Sequence, residues 1–327
     1  MRQETNGRKF SARTLIVIAA CLAVLGGIGA WLLFGRETAE PCNGVPGNER
    51  VQKSMGKAVQ PDMSCAAFGE ALVKATVGDK PGHHTQQQAQ ALKDVLFALG
   101  FTQPDDFTLD PALRLPLATA LADYAPDVHE TLAGLDSKYI VESDQEDPPW
   151  ESGGTYHLAV YNTFFRDILR AISENPDAYA LLRVVETRQV AQELDAVPSD
   201  AKDAAFRFPP KKGARALGVL DGVASVVVKH QDEDEARTWR TTVVDALTRG
   251  LGTPVEVKES PSGRLTSAWL RDFEKTGEEE RFDRLSDQGV DLARIWLKSR
   301  NTDATTQQGL LAEVADSALG GSREVTW

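Results

Sequence analysis

The sequence predicts an all-α protein: one transmembrane helix near the N-terminus, then an extracytoplasmic multi-helix domain open to division into two helical subdomains. Three observations predict it. Leu15 to Phe34 is a run of twenty residues without a charge. From Phe68 onward, apolar residues recur at alternating spacings of three and four, the period of a helix face. No stretch shows several alternating strands at regular intervals.

The first element is the anchor. At about 1.5 Å per residue the Leu15–Phe34 run spans about 30 Å, the thickness of a bilayer's hydrocarbon core. Arg2, Arg8, Lys9 and Arg13 precede it against a single Glu4, whereas Arg36, Glu37 and Glu40 follow. Basic flanks stay on the cytoplasmic side. Residues 1–13 are therefore a cytoplasmic tail, 14–34 the span, and the rest lies outside a cytoplasmic membrane crossed once. A cleaved signal peptide has a shorter apolar region ending in an A-x-A-like site, and Ile28-Gly29-Ala30 is a poor version of one. Ile18-Ala19-Ala20-Cys21 resembles a lipobox, yet thirteen apolar residues follow the cysteine where a lipoprotein turns polar. Ala19, Ala23 and Gly27 repeat every four residues, a pattern that the abundance of Ala and Gly in membrane helices explains and that also offers a small-residue face for a homodimer.

The chain carries 36 Lys+Arg and 48 Asp+Glu, a net charge of −12. The tail contributes +3, so the remainder stands at −15. Such a surface repels phosphates and makes nucleic acid a poor partner. Richness in Ala, Arg, Asp and Val resembles the composition of a high-GC bacterium.

Of three cysteines, Cys42 and Cys65 alone lie beyond the span. In an oxidising exterior they are expected to form a disulfide. It would tie the Pro- and Gly-bearing segment 35–64 to the first helix and stabilise by about 3 kcal/mol on the chain-entropy model.

Helices are then expected in order. Cys65–Val77 carries Phe68, Leu72 and Val73, and Asp79-Lys80-Pro81-Gly82 breaks it. Thr85–Leu99 carries Ala89, Leu92, Leu96 and Leu99, with Gly100 as a C-terminal cap. A Pro- and Asp-rich turn leads to a helix over Leu113–Tyr124 and a short one at Asp127–Gly134. These make a first subdomain, 65–141. Residues 142–155, acidic with two prolines and two glycines, read as a linker to a second subdomain, 156–327. There His157–Ser173 has Leu158, Tyr161, Phe165, Ile168 and Ile172 on one face, and Asn175-Pro176-Asp177 restarts a helix to Leu194, making a helical hairpin. Val197–Gly213, with Pro198, Pro209 and Pro210, reads as a break. Ala216–Val228 is helical although Val226-Val227-Val228 favours strand. Arg237–Leu251 ends at Gly252, and Val255–Val257 is a short extended piece. Two helices within Leu265–Arg300 and one at Thr305–Leu319 complete the domain.

Chemistry is sparse. GxGxxG, GxxxxGK[ST], GxSxG, CxxC and HExxH are all absent. His129-Glu130-Thr131-Leu132-Ala133 lacks the second histidine of a zinc motif, so no metal, cofactor or catalytic residue is predicted. His83-His84 reads as surface loop, and His230 with Asp232–Glu235 as a solvated helix connection whose acids favour the next helix start. Trp150, Tyr156, His157 and Tyr161 surround Gly153-Gly154; they read first as packing between the two subdomains and are the only binding candidates, able to take a sugar or peptide. The expected function is an interaction or binding module in a bacterial envelope, tethered through residues 15–34 and engaging an envelope or secreted protein. The alternatives are a cell-envelope hydrolase using acids such as Glu142, Asp144 or Glu146, or an accessory protein of a secretion or toxin system.

Overall fold

A computed structural model describes residues 41–80, 82–101, 107–252 and 260–325. The apolar run with Ala19, Cys21, Ala23 and Gly27 lies outside these residues, as do the turn at 102–106 and Val255–Val257. No helix among the described residues is long and apolar enough to cross a membrane.

The described chain is all-α apart from one two-stranded ribbon. In order come α1 (Glu49–Met55), α2 (Cys65–Thr76), α3 (Gln86–Phe101), α4 (Pro111–Asp123), α5 (Ala125–Ala133) and α6 (Ser137–Val141). The ribbon is β1 (Trp150–Ser152) and β2 (Thr155–His157). Then follow α7 (Asn162–Ser173), α8 (Pro176–Ala196), α9 (Asp203–Lys229), α10 (Glu233–Leu251), α11 (Pro261–Phe273), α12 (Gln288–Ser299) and α13 (Ala304–Arg323).

Local chemistry starts many of these helices. Asn48, Ser64, Asp110, Asn175, Ser260 and Asp303 each accept a backbone N–H of the first turn, satisfying donors that have no intrahelical partner. Pro176 sits in the first turn after Asn175, where a missing N–H costs nothing. Asp232 and Glu235 form a reciprocal capping box. The acids after His230 thus start α10.

One continuous apolar core runs from Cys42 to Val325. Helix α8 is at its centre, packed against α4, α5, α7, α9, α10, α11 and α12. Its buried residues lie on several faces, as a helix enclosed by others requires. Cys42 and Cys65 are disulfide-bonded with Cα atoms 5.0 Å apart. The bond joins the left-handed turn Cys42–Gly44 to the first residue of α2.

Four expectations are corrected. The break at Val197–Gly213 shrinks to residues 197–202, because α9 begins at Asp203 and runs through Pro209 and Pro210. Prolines there remove the hydrogen bonds that the Ala205 and Phe206 carbonyls would accept. Tertiary contacts compensate: Phe206 packs on Trp296 with ring centroids 5.0 Å apart, and Arg207 and Lys211 both pair with Glu313 of α13. The helix expected from His157 starts at Asn162, since Thr155–His157 is instead a strand paired with Trp150–Ser152. Gly100 lies inside α3, against the Phe164 ring, and caps nothing. His84 is buried rather than on the surface of its loop.

Candidate functional site

Three polar clusters are built where helices meet the central core, and each recruits residues far apart in sequence.

The first holds the acidic segment after α6. Lys93 on α3 is 1% exposed and donates from Nζ to the carbonyls of Glu142 at 3.0 Å and Asp147 at 2.8 Å. Arg50 on α1 donates to Glu146 Oε1 at 2.7 Å and to the Gln145 carbonyl at 3.0 Å. Residues 142–147 are thereby fastened to α1 and α3. Burial pushes the Lys93 ammonium down to about 8, against the upward pull of Asp147, Asp144, Glu142 and Asp94. The unfolded chain holds this proton up to about 10.5, the ordinary lysine value, so it binds more protons than the folded chain between pH 8 and 10.5. Stability conferred through Lys93 should therefore rise with pH across that window. Urea unfolding at several pH values is expected to show a rise for the wild type that Lys93→Met lacks. A difference between the two that stays flat with pH would refute this assignment. At neutral pH the substitution should still cost about 1–3 kcal/mol, because it leaves two carbonyls without a donor.

The second cluster fixes the ribbon. Trp150 and His157 are register partners, with ring centroids 5.8 Å apart and planes 24° apart. Tyr139 of α6 meets Trp150 edge-on at 5.1 Å, and the Lys138 ammonium lies 4.8 Å over the indole. Beneath them Asp127 of α5 accepts from the Tyr139 hydroxyl at 2.5 Å and pairs with His157 Nδ1 at 2.6 Å. That hydrogen bond to Asp127 raises the His157 pKa, outweighing its partial burial. Of the four sequence candidates, Trp150 and His157 therefore come together. Tyr156 lies partly buried against the apolar core, its N–H donating to the His84 carbonyl at 3.0 Å. Tyr161 is 37% exposed, bonds Asp144 and packs on Phe97 and Phe164. Of the hydrolase candidates, Asp144 bonds Tyr161 and accepts the Glu146 backbone N–H at 3.1 Å, and Glu146 pairs with Arg50. Nearby, His84 stacks on Tyr124 at 3.5 Å and bonds Asp123, whose carboxylate also accepts the N–H groups of Gly78 and Gly82.

The third cluster lies deeper. His129 of α5 is completely buried, with Nδ1 2.6 Å from Glu186 Oε1. Its Nε2 stands 3.2 Å from Glu193 Oε2, out of line for a hydrogen bond. Lys212 of α9 reaches in and donates to Glu130 Oε1 at 2.6 Å and Glu193 Oε1 at 3.0 Å. Burial pulls the His129 pKa down, but the Glu186 and Glu193 carboxylates outweigh it and hold the value at about 10. Burial would raise Glu193; His129 and Lys212 instead bring it down to about 2.

In the sequence only His129-Glu130 stands out, and Glu186, Glu193 and Lys212 belong to no motif. One signal was present: Leu182, Glu186, Val190 and Glu193 keep a three-and-four spacing, so two acids fall within an otherwise apolar stripe of α8. Charged residues in such a stripe require partners on facing helices.

Fold and clusters together define an all-α domain with a buried histidine–carboxylate–lysine centre and a small aromatic ribbon. No protein-family model, curated protein or solved structure matches the chain.

Proposed function

We propose that the protein is a single-pass component of a bacterial cytoplasmic membrane, N-terminus inside, whose all-α domain acts outside as a binding module for another envelope or secreted protein. Its placement rests on the uncharged run 15–34, the basic tail before it and the Cys42–Cys65 disulfide, a bond that persists in oxidising compartments. Dimerisation through Ala19, Ala23 and Gly27 belongs to the same proposal.

The binding role is carried by one observation on α6. Within a short stretch Leu135, Ile140 and Val141 are 43%, 58% and 72% exposed, and α6 buries none of its residues. Large aliphatic side chains grouped in water mark surfaces that partners cover. Acidic Glu142 and Asp144 follow directly and would select a partner with basic residues around an apolar centre.

The test is a photo-crosslinking amino acid at position 140 of the full-length protein in native membranes. A discrete adduct with a second protein is expected, and Val141→Asp should abolish it. Alkaline phosphatase fused after residue 327 should be active. The absence of any adduct would overturn the binding role, and an inactive fusion would overturn the orientation.

A further inference from the structure

Beyond a binding surface, the buried centre around His129 has the construction of a metal site. A ring nitrogen of His129 and one carboxylate oxygen each from Glu130 and Glu193 lie within 4.8 Å of one another. His129 Nε2 is wholly buried and makes no hydrogen bond, its neighbour Glu193 Oε2 standing 3.2 Å away and out of line, and Glu130 Oε2 is a second buried atom without a hydrogen bond. Buried polar atoms left unpaired are rare and costly. Here three of them sit in one cluster: His129 Nε2, Glu130 Oε2 and Glu186 Oε2.

The remaining contacts resemble an outer shell. Glu186 Oε1 is 2.6 Å from Nδ1 of His129. A carboxylate on one ring nitrogen fixes the tautomer and presents the other as a ligand. Lys212 engages the Oε1 atoms of both Glu130 and Glu193, orienting each carboxylate and leaving its second oxygen for another cation. Glu130 and Glu193 keep 17% and 21% side-chain exposure, so the cluster reaches solvent at one edge.

We propose that His129 Nε2, Glu130 and Glu193 bind one divalent transition-metal ion of the zinc class, with Glu186 as the positioning residue on His129. One nitrogen and two carboxylate oxygens are a ligand set for such an ion, and three protein ligands leave a position for water. The ligands close to bonds of about 2.0–2.2 Å by rotation of the partly exposed carboxylates. Binding displaces the Nε2 proton, which passes to solvent.

The experiment uses the full-length protein in detergent, stripped by chelator and titrated with Zn²⁺ by calorimetry and with Co²⁺ by visible absorption. A single saturable site in the micromolar range or tighter is expected, with Co²⁺ d–d bands that Zn²⁺ quenches. Glu193→Gln and Glu130→Gln should abolish the bands. Glu186→Gln should keep them while weakening affinity by about 10–100-fold, the usual effect of losing an outer-shell partner. Glu130 and Glu193 are both partly exposed, so either variant decides the matter if the other does not fold. No saturable binding of either ion, or binding unchanged in Glu130→Gln, overturns the proposal; the latter places the ion on the acidic surface.

Discussion

Replacing Arg183 with alanine is expected to lower the unfolding free energy by about 3–5 kcal/mol, the cost of removing one member of a buried ion pair. Arg183 is fully buried on α8 and joins three other segments. Its Nε donates to Gln288 Oε1 at 2.9 Å, Nη1 to the Tyr179 hydroxyl at 2.9 Å and to Asp221, and Nη2 to the Leu285 carbonyl at 2.6 Å. The network extends further: Gln288 donates to Thr187 at 3.1 Å and Tyr179 to the Leu220 carbonyl at 3.2 Å. Burial works against the guanidinium charge, but Asp221 outweighs it and holds the pKa above the ordinary arginine value. Truncation strands Asp221, Gln288 and the Leu285 carbonyl at once. Lysine should rescue little, because an ammonium cannot reproduce the planar fork. Pairing Arg183→Met with Asp221→Asn removes both charges, and the double variant should be more stable than Arg183→Met alone. Chemical unfolding measures the four variants against the wild type. A loss below 1 kcal/mol in Arg183→Ala would contradict the network.

The second large effect is expected at Gly218, where valine should destabilise by about 3 kcal/mol or more through overpacking. A Cβ at this position would lie 2.1 Å from the Ala318 carbonyl oxygen and 2.9 Å from its carbon. One turn on, a Cβ at Gly222 would meet the Ser322 carbonyl at 2.5 Å, and across the interface one at Gly321 would meet the Arg215 carbonyl at 2.2 Å. The obstruction is backbone each time, so no rotamer change relieves it and α9 and α13 must separate. Gly309, also in α13, has nothing within 4 Å of its missing Cβ. Gly309→Ala should therefore stabilise by about 0.5–1 kcal/mol, the helix-propensity gain alone. Thermal melting of the two variants gives opposite signs if the close approach is real. Equal signs would show that the glycines act only through propensity.

Much of the fold was legible because its causes are local. Asn175-Pro176, Asp232 with Glu235, and the apolar spacing of Ala89, Leu92, Leu96 and Leu99 each act within a turn or two of their own helix. Ala216–Val228 also reads correctly as helix despite three consecutive valines, since Leu217, Leu220, Ala224 and Val227 share a buried face. The candidate site was far less legible. Of the four aromatic candidates, only Trp150 and His157 share a cluster, and their main anchor, Asp127, precedes His157 by 30 residues.

The sequence by itself determined the helical class, the starts of α2, α3, α8 and α13, the pairing of Cys42 with Cys65 and an acidic charge balance. These depend on the intrinsic geometry of a 3.6-residue turn, on first-turn donors seeking side chains and on residue counts. Only the tertiary structure decided that α9 continues through Pro209-Pro210, that Trp150–His157 folds as a ribbon, and that Glu186, Glu193 and Lys212 converge on His129. The physical reason is the same for all three. Each opposes a local preference or buries a charge, so each depends on partners from distant helices: Glu313 and Trp296 for the prolines, Asp127 for the ribbon, and three facing helices for the buried centre.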